Sequence, residues 1–552
     1  MKDDRFVLNT LTDCFNDIVE TGNAPQEWKN SRTVMIPKTS KPRVDQLRPV
    51  ALTNSSYKLF MSLIKGSLEN HILVNGMKKV NQAGFTKGGR IQDNLFILKE
   101  MIDAGFIWKE STILIAVDFK KAYDSVKREM LIEILKDYRV QREILDFIAS
   151  TYQGDKTRIS LNSQEIIMDI TNGIRQGCTA STVLFKLLTY KIIEKLDEVC
   201  NGVKYGSRKL VSLFFADDGL LLSSNIEDAR LQIATLTTEG RKYGLEINKD
   251  KSQCLIFNMK EQPEEIEGIE VTEEIKYLGI KLKNTREVFS EQRNKMINQA
   301  KKMANMSYSV VSRSCHRMMI GKTYWKSMIL PSVMHGTELI SFREADLKQL
   351  QTAENSVLRV ILNAPKYACI SAMQGEIGIS SMKVRIARMK LQYYRSILQG
   401  TNDFMKEILE NIRTRDTKWF QEIKKYMEMF GVENDIQNLS KEELNGKIAK
   451  KFDEEWKKEI ESKVSLRLYT QNKETMQEEK CYDNRPASTT WFRARTNCLQ
   501  LNDRNRFGNQ ETNCKLCEEE VEDLGHFILD CKALELDRRP SLELQRPRLQ
   551  ES

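Results

Sequence analysis

Two adjacent acids between short apolar runs limit the fold of this chain more than any other feature of its sequence. Asp217 and Asp218 follow Leu213-Phe214-Phe215 and precede Leu220-Leu221-Leu222. Such runs predict strands, so the acids are expected at the tip of a tight β-hairpin. Their like charges repel, and a divalent cation between them would relieve the repulsion. Asp-Asp-Gly is also ordinary turn chemistry, and a plain surface turn explains this stretch equally well.

A second stretch supplies a third acid. Thr112–Phe119 is an apolar run that predicts a buried strand, and its acid is Asp118. This strand and the hairpin can meet in one antiparallel sheet, where the three acids would lie together. Carboxylate oxygens are the ligands that Mg²⁺ prefers, and two such ions can activate a 3′-hydroxyl and stabilise a leaving pyrophosphate. Taken alone, Asp118 fits the N-cap of a following helix equally well.

Cysteine content and hydropathy limit the compartment. The 552 residues include eleven cysteines, an odd number, and most are scattered singly. This argues against a disulfide framework and favours a reducing compartment, the nucleus or the cytoplasm. The first residues are polar and no apolar run of the signal-peptide kind follows them, so no signal peptide is expected. It has no run of about 18 apolar residues, so no membrane span is expected.

Positive charge is concentrated in one segment, although the net charge of +9 is modest. Between Arg293 and Lys326 there are eight Lys or Arg and no Asp or Glu. Such a segment can neutralise the phosphates of a nucleic acid, while a solvated helix face shows the same pattern. Strand-like stretches end near residue 284, and helical sequence rich in Lys, Glu and Met follows to about residue 480.

Four residues near the C-terminus have the spacing of a metal site. Cys514-x₂-Cys517-x₈-His526-x₄-Cys531 supplies three thiolates and one imidazole, which is a complete tetrahedral set for structural Zn²⁺. Four protein ligands leave no coordination position for catalysis, so the module is expected to grip nucleic acid instead. Its candidate phosphate contacts are Arg493, Arg495, Arg504 and Arg506.

Six blocks of sequence occur in the order known from one family of polymerases. Val117–Asp124, Gly173–Gly177 and Phe215–Asp218 resemble the first three palm motifs of reverse transcriptases. The other blocks are Ile36-Pro37-Lys38 with Arg48-Pro49-Val50, Gln82–Phe85 and Tyr277–Ile280. More specifically, the chain resembles the reverse transcriptase of a non-LTR (LINE-like) retrotransposon, over these blocks and more loosely to residue 535. The Cys/His set also resembles the C-terminal CCHC zinc knuckle of such proteins.

The resemblance implies a role for each matching residue. Asp118, Asp217 and Asp218 would be the catalytic carboxylates that hold two Mg²⁺ ions. Tyr123 would lie under the sugar of the incoming nucleotide and select dNTPs by clashing with a 2′-hydroxyl. An ordinary half-buried helix position is the alternative for Tyr123. The other residues expected to line the nucleotide pocket are Phe119, Gln176 and Gly177.

Basic residues complete the expected substrate site. Lys38 and Arg48 would clamp the triphosphate, and generic backbone phosphate contacts explain Lys38 equally well. Lys251 would protonate pyrophosphate, unless it is simply a solvated lysine. Tyr277-Leu278-Gly279 would be the primer grip. One departure from the family is Cys178–Thr182, which has no proline where the family often has two, so the pocket wall is expected to differ.

The expected fold is an α+β right-hand polymerase followed by a helical linker and a small zinc knuckle. Its expected divisions are 1–115 fingers, 116–284 palm, 285–345 helical thumb, 346–505 helical linker, 506–535 CCHC zinc knuckle and 536–552 tail. The expected function is RNA-directed DNA synthesis from a 3′-hydroxyl primer, with an RNA template, a DNA primer or target DNA, and dNTPs as partners. A catalytically inactive nucleic-acid-binding remnant is the alternative, and an RNA-copying RNA polymerase is a third possibility.

Elements of this family also need a nuclease, and no acidic or histidine cluster for one stands out in this sequence. The chain is therefore expected to be the polymerase-and-knuckle portion of a longer element protein, or a truncated copy. The nuclease would then come from a missing part of the element or act in trans.

Overall fold

The computed structural model of the protein describes residues 5–40, 42–43, 46–161, 164–314, 316–482, 488–502 and 512–537. The tail beyond residue 537, Arg504, Arg506 and the first residues of the expected knuckle lie outside these ranges. The chain divides into two compact units. The first is Met1–Gln292 with Thr401–Asn411, and the second is Arg293–Gly400 with Ile412–Ser552.

The first unit alternates helices and strands. Its helices are α1 (Arg5–Thr21), α2 (Ser55–Val74), α3 (Ile91–Trp108), α4 (Ala122–Ser125), α5 (Arg128–Asp137), α6 (Arg142–Tyr152), α7 (Ser181–Val199) and α8 (Ile226–Tyr243). Local sequence explains their ends, as α8 illustrates. Asn225 caps it by accepting a hydrogen bond from the N–H of Asp228, and Gly244 ends it with a φ of +92°.

Two larger sheets and two small hairpins hold the strands of the described residues. The strands are β1 (Asn30–Pro37), β2 (Leu47–Leu52), β3 (Thr112–Val117), β4 (Lys156–Leu161), β5 (Gln164–Asp169), β6 (Val203–Tyr205), β7 (Arg208–Leu210), β8 (Ser212–Phe215), β9 (Asp218–Ser223), β10 (Gln253–Phe257), β11 (Glu265–Ile266), β12 (Ile269–Val271), β13 (Glu274–Tyr277) and β14 (Ile280–Lys283). The larger sheets have the orders β2-β1-β4-β5 and β11-β12-β10-β3-β9-β8.

The central strand of the six-stranded sheet is buried on both faces. Ile113 and Ile115 pack into a core with residues of α5, α7 and α8, and Leu114 between them is equally buried. A strand covered on both faces has a continuous apolar run rather than an alternating one, as β3 has. The α+β organisation predicted from the sequence is confirmed.

One predicted element differs from the observed one. The apolar spacing of residues 122–135 predicts a single helix, whereas the structure has α4 and α5 in this range. The break lies at Val126, which is fully buried and whose carbonyl accepts a hydrogen bond from the N–H of Gly173 at 2.8 Å. A tertiary contact therefore takes the carbonyl that a continuous helix would have used.

Helices are the regular elements of the described chain after Lys283, where the strand pairing is limited to an isolated bridge between Asn513 and Val521. They are α9 (Ser290–Val311), α10 (Arg317–Tyr324), α11 (Leu330–Met334), α12 (Glu344–Leu362), α13 (Ile370–Ile377), α14 (Met382–Leu398), α15 (Asp403–Thr414), α16 (Lys418–Phe430), α17 (Lys441–Glu461), α18 (Arg467–Asn472) and α19 (Ser488–Arg495). None of the helices described is long and apolar enough to cross a membrane.

Candidate active site

The register of the six-stranded sheet brings the three predicted acids to one end of it. β3 runs antiparallel to β9, and Val117 lies opposite Gly219. One residue further along, the same register sets Asp118 beside Asp218. The strand and the hairpin therefore meet as the sequence predicted, and the two acids belong to segments that are far apart in the chain.

A two-residue turn presents the other acid. Phe215 pairs with Asp218, so Ala216 and Asp217 connect β8 to β9. Ala216 has a φ of +60°, a left-handed conformation that residues other than glycine rarely adopt. A positive φ at the first turn position suits the twist of a hairpin. The side chains of Asp217 and Asp218 are exposed at the tip.

Loss of hydration, together with clustering, raises the pKa of the hairpin carboxyls. Loss of hydration raises the pKa of Asp218 to about 6, and the charges of Asp217 and Asp118 add to it against an opposing contribution from Lys276. Loss of hydration also raises the pKa of Asp217, with a further contribution from Asp118. Although both side chains reach solvent, the surrounding protein removes part of their hydration. A divalent cation would neutralise this concentration of negative charge, so the residues present fit a metal site.

A polar loop that sequence reasoning did not assign to the site holds Asp118. Ser252 Oγ accepts a hydrogen bond from the N–H of Asp118 at 3.1 Å. The carbonyl of Asp118 accepts one from the N–H of Asn248 at 2.8 Å, and Asn248 Nδ2 lies 3.4 Å from Asp118 Oδ2. The sequence signal was the polar run Asn248–Ser252 directly before β10. Lys251 lies in this loop with its side chain exposed.

The β1–β2 hairpin brings the two predicted triphosphate ligands near the acids. Ile36 pairs with Arg48, and Lys38 follows β1 with its N–H bonded to the carbonyl of Gln46 at 3.1 Å. Alternation along the strands puts Lys38 and Arg48 on one face of the sheet. Both side chains are exposed, and their charges oppose the rise in the pKa of Asp217. The structure therefore places them within electrostatic reach of that carboxylate.

Tyr123 lies beside the acidic cluster. Its ring stacks on Phe185 of α7, with centroids 4.6 Å apart and an interplanar angle of 11°. Burial and then the charge of Asp217 raise the pKa of its phenol. The hydroxyl is buried without a hydrogen-bond partner among the described residues. Phe119, in contrast, is 7% exposed and packs in the hydrophobic core, so its side chain offers little surface to a nucleotide.

Main-chain contacts fix the Gly173–Gly177 loop next to β2. The main-chain carbonyl of Gln176 accepts a hydrogen bond from the N–H of Ala51 at 2.7 Å. The side-chain Nε2 of Gln176 donates to Asp124 Oδ1 at 3.1 Å. Gly177 has a φ of +120°, and a Cβ there would lie 2.5 Å from the carbonyl oxygen of Ala51. Only glycine permits this approach.

A buried charge cluster supports the same loop. Asp155 accepts hydrogen bonds from Arg128 at 2.6 Å and from Arg175 at 2.8 Å. Arg175 also donates to the carbonyl of Trp28 at 2.9 Å, and Arg128 donates to the carbonyl of Gly173 at 2.8 Å. Both arginines and the carboxylate are almost completely buried, so the cluster ties the loop to its surroundings.

The predicted primer grip is the turn between β13 and β14. Leu278 and Gly279 have φ values of +47° and +82°, which is the pattern of a tight hairpin turn. Tyr277 is buried, and its hydroxyl donates to the carbonyl of Leu213 in β8 at 3.1 Å. The turn is therefore fixed to the strand that leads into the acidic hairpin.

The four C-terminal metal-ligand candidates come together in the second unit. Their ligand atoms all lie within 4.8 Å of one another. Cys514 Sγ is 3.8 Å from Cys531 Sγ, and Cys517 Sγ is 3.3 Å from His526 Nε2. His526 Nδ1 lies 3.0 Å from Glu520 Oε2, an orientation typical of a metal-bound imidazole. The donor set suits a tetrahedral metal ion.

Acidic residues predominate around this Cys/His cluster, for which a nucleic-acid grip is expected. From Thr512 to Asp537 there are eight Asp or Glu and two Lys, a balance that disfavours contact with phosphates. Arg495 forms an ion pair with the buried carboxylate of Glu376 at 3.1 Å, and Arg493 donates to the carbonyl of Asn363 at 2.9 Å. These two arginines have structural partners within the second unit.

The basic segment Arg293–Lys326 divides in a similar way. Arg293 is buried and pairs with Asp346 at 3.4 Å, and Lys322 pairs with Glu478. Lys295, Lys302 and Arg313 are exposed. Part of the segment therefore stabilises the second unit, and part offers positive charge to solvent.

Comparisons with known proteins agree with the order of the motifs. Residues 36–282 match the family "Reverse transcriptase (RNA-dependent DNA polymerase)". The chain is 23% identical over 457 residues to the "Retrovirus-related Pol polyprotein from type-1 retrotransposable element R2" of Nasonia vitripennis, which covers 75% of this chain and 43% of that protein. It is 23% identical over 410 residues to the "Probable RNA-directed DNA polymerase from transposon BS" of Drosophila melanogaster, covering 69% and 43%. The chain thus spans less than half the length of these relatives.

Among solved structures, the chain matches apo telomerase from Candida tropicalis with a TM-score of 0.41 and 13% identity, covering 80% of this chain and 74% of that one. The order of the motifs, the meeting of the three acids and the family match are more informative than this structural likeness. Residues 36–282 therefore match the reverse transcriptase family, and the chain is similar to proteins of non-LTR retrotransposable elements.

Proposed function

We propose that this protein is an RNA-directed DNA polymerase that extends a 3′-hydroxyl primer on an RNA template. The observation that carries the proposal is the register of β3 and β9, which sets Asp118 beside Asp218 at the end of the sheet. The adjoining turn adds Asp217. The charges of Asp217 and Asp118 add to the desolvation that raises the pKa of Asp218. Three carboxylates clustered in this way are a suitable ligand set for two Mg²⁺ ions, and such ions, when bound, activate the primer hydroxyl and stabilise the leaving pyrophosphate.

Side chains around the acids would bind and select the nucleotide. Lys38 and Arg48 would bind the triphosphate, since their charges already reach Asp217. The ring of Tyr123 would exclude a 2′-hydroxyl, and Gln176 with Gly177 would line the pocket. Lys251 would donate a proton to pyrophosphate from the loop that holds Asp118.

The remaining parts would serve the same reaction. The division into fingers, palm, thumb, linker and knuckle at the boundaries predicted from the sequence belongs to this proposal. Cys514, Cys517, His526 and Cys531 would hold one structural Zn²⁺. RNA template, DNA primer or target DNA, and dNTPs would be the partners, in the nucleus and cytoplasm. A nuclease would come from the rest of the element protein or act in trans.

The test is dNTP incorporation on a primed RNA template with Mg²⁺, comparing the protein with Asp217→Ala. We expect extension by the unsubstituted protein and none by the variant, because one metal ligand is lost. Asp137→Ala is the matched control, since its carboxylate is exposed and pairs with Lys191 at 3.4 Å; it should extend normally.

The competing outcomes are distinct. No extension by any of the three proteins, with duplex binding intact, would favour the catalytically inactive binding remnant. Extension with rNTPs as efficient as with dNTPs would favour an RNA polymerase. Extension by Asp217→Ala would remove the hairpin acids from the mechanism.

A further inference from the structure

A buried glutamine grips the turn that carries the catalytic acids. Gln82 is 1% exposed. Its Oε1 accepts hydrogen bonds from the N–H groups of Gly84 and Ala216, each at 3.0 Å. Its Nε2 donates to the carbonyl of Ala216 at 3.2 Å and to Thr189 Oγ1 at 2.9 Å. The side-chain amide of Gln82 thus bonds both main-chain polar groups of Ala216, which lies 134 positions away.

The main chain around Gln82 runs alongside β8. The carbonyl of Asn81 accepts a hydrogen bond from the N–H of Phe214 at 2.7 Å, and the N–H of Ala83 donates to the carbonyl of Phe214 at 3.1 Å. A Cβ on Gly84 would lie 2.1 Å from the nitrogen of Ala216. This approach requires glycine, and it fixes the segment Asn81–Gly84 against the turn.

Ala216 is the residue that needs such support. Its φ of +60° is unfavourable for an L-residue with a side chain, and such a conformation persists only where surrounding structure enforces it. Because Asp217 follows directly, the conformation of Ala216 decides where the Asp217 carboxylate points. The two hydrogen bonds from Gln82 hold both polar main-chain groups of Ala216 in that conformation.

We propose that Gln82 is a positioning residue for the acidic turn, setting the carboxylates of Asp217 and Asp218 against Asp118. This inference rests on the proposed polymerase function. Gln82 is buried, so we assign it no contact with substrate. It acts by stabilising the positive φ of Ala216, a conformation that alanine rarely adopts without support.

The first experiment compares Gln82→Met with the unsubstituted protein on a primed RNA template. Methionine has a similar length but makes none of the four hydrogen bonds. We expect kcat to fall about 10- to 100-fold, because a small displacement of catalytic groups has costs of this size. The Mg²⁺ concentration for half-maximal rate should rise, and binding of the primed template should not change. Thr189→Val is the matched control, since it removes one partner of Gln82 and leaves both contacts with Ala216.

The second experiment adds Ala216→Gly to Gln82→Met. Glycine adopts a positive φ without strain, so it should restore the turn that the missing amide no longer holds. We expect the double variant to recover kcat at least about threefold over Gln82→Met, since residues in direct contact show couplings of this order. The Mg²⁺ requirement should return toward its original value.

The outcomes separate this inference from the proposed function. An inactive unsubstituted protein would overturn the proposed function. The positioning role would then be supported if Gln82→Met weakens Mg²⁺ or Mn²⁺ binding and overturned if binding is unchanged. An active protein whose Gln82→Met variant melts earlier but keeps the kcat and Mg²⁺ dependence of the parent would overturn the positioning role. Absence of rescue by Ala216→Gly would also overturn it. If Gln82 acted only by packing, relieving the strain at residue 216 would not restore kcat, whereas a positioning role requires that it does.

Discussion

The expected role of Tyr123 is steric, because its ring would exclude a 2′-hydroxyl without forming a hydrogen bond. Its ring is held flat against Phe185, and no described residue bonds its buried hydroxyl. We expect Tyr123→Val to raise rNTP use relative to dNTP use by about tenfold or more, because the clash with a 2′-hydroxyl is lost. Single-nucleotide incorporation on a primed RNA template measures this ratio.

Tyr123→Phe is the control for that measurement. It keeps the ring and removes a hydroxyl without a described partner, so discrimination should persist and stability should change little. Equal discrimination by the tyrosine and valine forms would show that another side chain excludes ribose.

Repulsion among the acids gives a second prediction at the residue scale. Asp218 lies near Asp217 and Asp118, and their charges add to the desolvation that raises its pKa. We expect Asp218→Asn to raise the melting temperature of the metal-free protein at neutral pH, since it removes one of three crowded negative charges. Added Mg²⁺ should stabilise the unsubstituted protein more than the variant. A lower melting temperature for the metal-free variant would contradict this account.

At the scale of elements, the Asp155 cluster should decide whether the Gly173–Gly177 loop keeps its place. Asp155→Asn would leave Arg128 and Arg175 buried without their carboxylate, a change that costs about 3–5 kcal/mol in comparable pairs. We expect a large loss in the free energy of unfolding, measured by urea denaturation. A rise in KM for dNTP should accompany it, since Gln176 follows Arg175 directly.

Asp169→Asn provides the comparison. Asp169 pairs with Lys156 at 3.6 Å on the protein surface, and exposed pairs contribute about 0–1 kcal/mol. Equal losses for the two variants would mean that the buried cluster has no special role in the loop.

The elements show what the sequence could and could not predict. β3 and the β8–β9 hairpin follow from local apolar runs, so the meeting of three acids was predictable. The supports of those acids were not, because each depends on a contact between distant segments. Asn248 and Ser252 contact Asp118 across 130 and 134 positions, and the amide of Gln82 contacts Ala216 across 134 positions. The partner of Arg495 is likewise a buried glutamate far away in sequence.

For the whole molecule, the Cys/His cluster predicts a dependence on metal. A segment as small as residues 512–537 cannot form much of a core, so metal ligation should stabilise it. We expect about one zinc per chain by elemental analysis, and we expect Cys517→Ser to lose it and to become sensitive to proteases in this segment. Primer extension by Cys517→Ser should fall less than its zinc content, since the proposed catalytic acids all lie in the first unit.

Cys14→Ser is the control, because Cys14 is an exposed cysteine of α1 outside the cluster. Unchanged zinc content in Cys517→Ser would contradict the proposed ligand set.

Because the module is acidic, neutralising its exposed carboxylates should leave the salt dependence of duplex binding largely as it was.

The strand order of the six-stranded sheet also sets when the site can exist during synthesis. β3 is complete at Val117, but its neighbours β9 and β10 end at Ser223 and Phe257. At typical translation rates the ribosome needs on the order of ten seconds to make the chain between them. Until β9 has been made, this apolar strand has neither of its sheet partners, and its exposed surface favours chaperone binding. The candidate active site can therefore assemble only after the ribosome has released both later strands.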